Sequence, residues 1–280
     1  MMKDEILPHG TSTARNLLYF TLIVVIWITA GSFITAALFS LVSKENILLS
    51  YAIRHANFFL LLFLIILFIH KIERIPLLSF MTERARFNLG GFLFGGAVLL
   101  ASQIIQTTAS VFILDTPLTF HRETTGTVHL MMIALALPLT TVQCLSEELL
   151  FRSFFFNLAK KSAVSPHIVS LFSAALFTLA HTTNTELTGS GQPFFVLLYY
   201  FLSGLFYMEV VFAYGGIEAA LGSHIMNNLF ITTIVNYEGS SIHSYPFFTS
   251  GRTDILLDLT LLILSSAVLL LFSHRKRRHP

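Results

Sequence analysis

Residues 128–158 read VHLMMIALALPLTTVQCLSEELLFRSFFFNL. A helix that crosses a membrane needs about 20 mostly apolar residues. This stretch is longer than that, yet it holds Glu147, Glu148 and Arg152 in its second half. A charge at the centre of a bilayer costs a few kcal/mol even on lenient scales, so such residues face the protein interior and are functional candidates. The stretch therefore predicts a helical membrane protein with a polar site inside it.

Working outward, seven more apolar segments stand at 17–42, 51–69, 89–114, 167–181, 194–213, 217–235 and 255–273. The expected architecture is an all-α integral membrane protein of about eight transmembrane helices. Helix breakers separate the segments: Pro76, Pro117 with Gly126, Pro166, Gly189-Ser190-Gly191 with Pro193, Gly215-Gly216, and the polar run 238–254. Composition agrees. Only 11% of the 280 residues are charged and 54% are hydrophobic, against about 25% charged in soluble domains, and the mean hydropathy is +0.74. A net charge of +2 is too weak to suggest a nucleic-acid partner. The single cysteine, Cys144, excludes an internal disulfide and a Cys-rich zinc site. The apolar run after residue 16 exceeds the ~7–15-residue core of a cleaved signal peptide, so it reads as a retained first span.

Lys and Arg accumulate near the cytoplasmic ends of spans. Alternate loops separate on that criterion. Lys3, Arg15, Lys71, Arg74, Arg84, Arg86, Lys160, Lys161 and Arg275 to Arg278 fall on one side, and Lys44, Arg54, Arg122 and Arg252 on the other. Both termini are expected in the cytoplasm. Three regions follow: an N-terminal membrane region of three spans (1–127), a core that holds the charged residues inside a span (128–236), and a loop, last span and basic tail (237–280).

Of the eleven histidines, only His181 and His224 belong to polar groupings within spans; the other nine read as loop, tail or span-end residues. Glu148 and Arg152 are four apart and stack on one helix face as an ion pair. Glu147 is turned about 100° away and is read as unpaired. His224 and Asn228 share a face of the seventh segment, and Phe177 lies one turn before His181. At ~1.5 Å per residue, Glu147, His181, His224 and Asn228 lie at comparable depths, so three helices can converge. A carboxylate beside a histidine in a partly dry cavity can take a proton from water. A second histidine and an amide can stabilise the oxyanion of a tetrahedral intermediate. Together they suit amide hydrolysis without a covalent intermediate.

At these residues the chain resembles the CPBP family of membrane endopeptidases, which includes the type II CAAX prenyl endopeptidase and bacteriocin-processing proteins. Glu147-Glu148-x-x-x-Arg152, Phe177-x-x-x-His181 and His224-x-x-x-Asn228 match its three motifs in order, on separate spans. The resemblance implies an intramembrane endopeptidase in a bacterial plasma membrane, acting on membrane-embedded or lipidated peptides. Glu147 and His181 would activate water, His224 and Asn228 would form the oxyanion hole, and Glu148, Arg152 and Phe177 would give structural support. The family's site is described both as a metal centre and as a metal-free glutamate centre. With no His-Glu-x-x-His pattern here, the expectation is no cofactor or one zinc ion, held if present by Glu147, His181 and His224. The cavity is expected between the fourth, fifth and seventh spans, opening to the cytoplasm or the lipid.

Blander readings compete. A membrane cysteine is usually a packing residue, which weakens a Cys–His pairing of Cys144 with His181. Asn227 lies off the motif face as polar lining, and Ser203-Gly204 reads as a helix contact. A proton-coupled transporter also needs buried Glu, His and Asn, but paired repeats and broken helices are not evident. A non-proteolytic scaffold or immunity factor is the third class.

Overall fold

A computed structural model describes residues 13–42, 46–121, 126–189, 191–251 and 254–278, with side chains through Ser273. Lys3, Lys44, Arg122, Arg252 and the side chains of the terminal basic run lie outside the described residues, as does Ser190.

All eight apolar segments are helical, because backbone N–H and C=O groups in hydrocarbon must be satisfied within the segment. They form α1 (Thr13–Ser40), α2 (Ile47–Phe68), α4 (Leu89–Phe112), α5 (Thr127–Glu148) with α6 (Phe154–Lys161), α7 (Pro166–Ala180), α9 (Pro193–Tyr214), α10 (Glu218–Thr233) and α11 (Ile255–Arg278); α3 (Leu77–Met81) and α8 (Thr185–Gly189) are short connecting turns. The sequence explains several ends. Asn46 and Asn88 cap α2 and α4 through their side-chain oxygens, each 3.0 Å from an N–H of the first turn. Pro166 and Pro193 start helices where their missing N–H costs nothing. Gly215, at φ 68°, closes α9 in the left-handed conformation. Large apolar side chains such as Phe33, Phe63, Phe112 and Leu271 face outward, as a lipid solvent requires.

By length and composition alone the eight segments fall into two groups. Six helical segments are long and apolar enough to cross a membrane, namely Thr13–Ser40, Ile47–Glu73, Leu89–Phe112, Thr127–Lys161, Pro193–Tyr214 and Ile255–Ser273. The other two, α7 and α10, have 15 and 16 residues, or about 22–24 Å of helix against a ~30 Å hydrocarbon core. Helix α10 has most of its side chains buried within the bundle. It packs most extensively on α4, and also on α5 and α9. Glycines set the α4–α10 distance: a Cβ at Gly95 would collide with the Ala219 carbonyl, and one at Gly222 with the Phe92 carbonyl. Ser223 Oγ donates to the Gly95 carbonyl across the crossing (3.0 Å). At Gly204 an added Cβ would lie 2.8 Å from Ala174 Cα, so Ser203-Gly204 does mark a close contact, between α9 and α7.

The two ends of the bundle differ. At one, Lys160 pairs with Glu83 (3.7 Å), Lys161 with Glu73, and Arg84 with Glu218 (4.0 Å), so the basic segments lie together. At the other, β1 (Leu118–Phe120), β2 (Val235–Tyr237) and β3 (Phe248–Ser250) form a small sheet of order β1-β3-β2. Leu118 pairs with Ser250 in the antiparallel half and Val235 with Phe248 in the parallel half. This sheet is an addition to the all-α expectation. Three-residue strands are too short to show the alternation by which strands are read from sequence.

Candidate active site

The centre of the site is on α5 where it meets α10. After Glu148 the helix widens into a π-turn, Leu149–Ser153, a deformation often found at functional sites. Glu148 and Arg152, both fully buried, keep their contact across it (Oε1–Nη1, 3.3 Å). The Arg152 guanidinium lies 4.1 Å from the Phe177 ring centroid and 5.8 Å from that of Tyr207. Its nitrogens make no hydrogen bond among the described residues. The cation is therefore balanced by one carboxylate and two ring faces.

His224 joins the two carboxylates. Its Nδ1 donates to Glu148 Oε1 (2.9 Å) and its Nε2 lies 3.6 Å from Glu147 Oε2. Glu147 is thus not the unpaired group expected from helical spacing. A partner helix supplies His224, and Gln143 Nε2, one turn earlier on α5, donates to Glu147 Oε1 (3.3 Å). Asn228 Nδ2 points at Cys144 Sγ (3.5 Å), and Asn227 donates to Asn228 Oδ1 (3.1 Å). His181 caps the end of α7, with Nδ1 donating to the Phe177 carbonyl (2.7 Å) and its ring 4.6 Å from that of Tyr200. It lines the same cavity as Glu147, with no hydrogen bond between them among the described contacts.

His55 escaped the sequence reading. It was placed at a span end, but it is buried well inside α2. Nδ1 donates to the Tyr51 carbonyl (2.7 Å), and Nε2 lies 3.0 Å from Gln143 Oε1. A contact chain therefore runs from α2 through Gln143 to Glu147. The only signal for Gln143 was its position four residues before Glu147; none marked His55.

Glu147, Phe177, His181, His224 and Asn228 line one cavity of about 590 Å³. Helices α5, α7 and α10 contribute, as expected, but α4, α9 and α11 complete the wall. Gln103 Nε2 donates to Asn227 Oδ1 (2.6 Å), and Gln106 is bonded to Asp258. At the sheet end, Glu186 Oε1 accepts from Ser241 N (2.8 Å), Ser241 Oγ (2.9 Å) and Tyr237 OH (3.1 Å). Burial, and then the Glu186 charge, push the Tyr237 hydroxyl well above its ordinary pKa, so it stays a donor. Replacing Glu186 by Ala leaves these donors without their acceptor. The expected cost is about 1–3 kcal/mol, read as a lower thermal midpoint in detergent.

Among the described residues, no group of three His, Cys, Asp or Glu is arranged to hold an ion, while His181 and His224 are each held through Nδ1, by a carbonyl and by Glu148.

Residues 129–230 match the family model described as type II CAAX prenyl endopeptidase Rce1-like. The chain is 25% identical over 163 residues to "Uncharacterized protein YyaK" of Bacillus subtilis (strain 168), an alignment covering 58% of this chain and 52% of that protein. The chain thus spans about half the length of that curated relative. No solved structure matches.

Proposed function

We propose that the chain, whose residues 129–230 carry the Rce1-like match, is an intramembrane endopeptidase that hydrolyses peptide bonds of membrane-associated peptides. The observation that carries this reading is the cavity-lining carboxylate Glu147 beside His224, an imidazole fixed from behind by a second buried carboxylate, Glu148.

In this reading Glu147 takes a proton from water as the water oxygen adds to the scissile carbonyl carbon. His181, whose Nδ1–H is held by the Phe177 carbonyl, offers Nε2 as a second acceptor that orients the water. His224 and the Asn228 amide meet the charge that builds on the carbonyl oxygen, at about 3 kcal/mol for a donor of this kind. Glu147 then gives its proton to the departing nitrogen as the C–N bond breaks, leaving a new carboxyl and a new amino terminus. Glu148 holds the His224 ring through Nδ1–H, so His224 acts in this step as the imidazolium and donates from Nε2–H; Arg152 neutralises Glu148, and Gln143 steadies Glu147. No step runs through a metal.

The test pairs two substitutions that separate this route from a thiol nucleophile. With rate read as new peptide termini formed in the membrane, Asn228→Ala is expected to slow cleavage about 10²–10³-fold, while Cys144→Ala stays within a few-fold of the native chain. Loss of cleavage in Cys144→Ala with Asn228→Ala still active would replace the water route by a covalent one.

A further inference from the structure

The mouth of the cavity lies at the sheet end of the bundle. Its lining includes Thr116, Glu186, Gln192, Tyr237, Glu238 and Asp254, all from connections at that end. None of its lining comes from the opposite connections, 69–88, 159–167 and 214–218, which hold Lys71, Arg74, Arg84, Arg86, Lys160 and Lys161. Between the cavity floor and that basic end the interior is filled. Arg152, Phe155, Met208, Val211, Ile217 and Ala220 are each 0% exposed, so no passage leads from Glu147 to the basic end through them.

Basic connections mark the cytoplasmic side. Among the described residues, the sheet end carries Arg54 against the seven cations Arg15, Lys71, Arg74, Arg84, Arg86, Lys160 and Lys161 at the other. We infer that the site takes its substrate from the extracytoplasmic face, as a polypeptide segment entering the bilayer from outside, and not as a tail presented from the cytoplasm. The lining charge agrees with this choice. Glu147, Glu186, Glu238, Asp254 and Asp258 are present, with neither Lys nor Arg among the described lining residues, a field that disfavours the free carboxylate of a C-terminal tail. The inference rests on the endopeptidase reading for the word substrate; the direction of access rests on the cavity's geometry and on the distribution of basic residues.

Access is measured without catalysis. Three single substitutions are made in the full chain in membrane vesicles: Glu238→Cys at the mouth, Ser102→Cys in the wall and Arg86→Cys at the basic end. The native chain, whose one cysteine is buried, sets the background. A small membrane-impermeant thiol reagent is expected to label Glu238→Cys and Ser102→Cys in right-side-out vesicles, and Arg86→Cys only in inside-out vesicles. Labelling of Ser102→Cys only from the inside-out face, or only by a permeant reagent arriving through lipid, would overturn the inference, as would the reverse pattern at Glu238→Cys and Arg86→Cys. Failure of proteolysis would leave these labels unchanged, so the two readings fail separately.

Discussion

Glu147→Gln is expected to slow peptide cleavage by about 10²–10⁴-fold, the range in which positioned general bases act, while the protein still reaches the membrane in normal amount. The amide is nearly isosteric with the carboxylate and can keep contacts to Gln143 and His224, so the packing around α5 is preserved. What it loses is basicity: an amide cannot take the water proton or return it to the leaving nitrogen. The rate of substrate-terminus formation, measured with the thermal midpoint of the same preparation, separates the two effects. An unchanged midpoint with lost cleavage is the expected pair. Retained cleavage would move the base to another residue.

Arg152→Ala is expected to give the largest loss of stability of any single change near the site. Removing one partner of a buried ion pair costs about 3–5 kcal/mol, because the remaining charge is left without its counterion in a low-dielectric interior. Here the remaining charge is Glu148, fully buried, which would keep only the contact from His224. The Phe177 and Tyr207 faces would also lose the cation they flank. A double change, Glu148→Gln with Arg152→Met, removes both charges and should recover much of the thermal midpoint. It should not recover activity, since Glu148 also holds the His224 ring. A double variant as unstable as Arg152→Ala would show that the rings, and not the charges, dominate this part of the core.

The sequence made legible what the bilayer itself dictates. Each long apolar run is a helix because no other backbone arrangement satisfies itself in lipid, and the four-residue spacing of Glu148 and Arg152 gave their pairing directly. Contacts between helices were less legible. Helical spacing turned Glu147 away from Arg152 but could not reveal that α10 brings His224 against both carboxylates, or that α2 brings His55 to Gln143. Gly95 and Gly222 read as ordinary residues of apolar segments; only the α4–α10 crossing shows why a side chain is excluded there. The burial of α10 was not legible either, because apolar composition marks a segment as buried without telling lipid from protein. The direction of the cavity depends on which ends of six helices remain unfilled, a property of packing that no single span encodes.

The central claim, that Glu147 performs hydrolysis, is tested most directly by comparing peptide termini, by quantitative mass spectrometry, in membranes holding the native chain or Glu147→Gln at equal abundance. The account predicts a set of new amino and carboxyl termini that appear with the native chain and are lost in Glu147→Gln. Identical termini in the two membranes, with both proteins folded and the native chain producing a measurable phenotype, would contradict it.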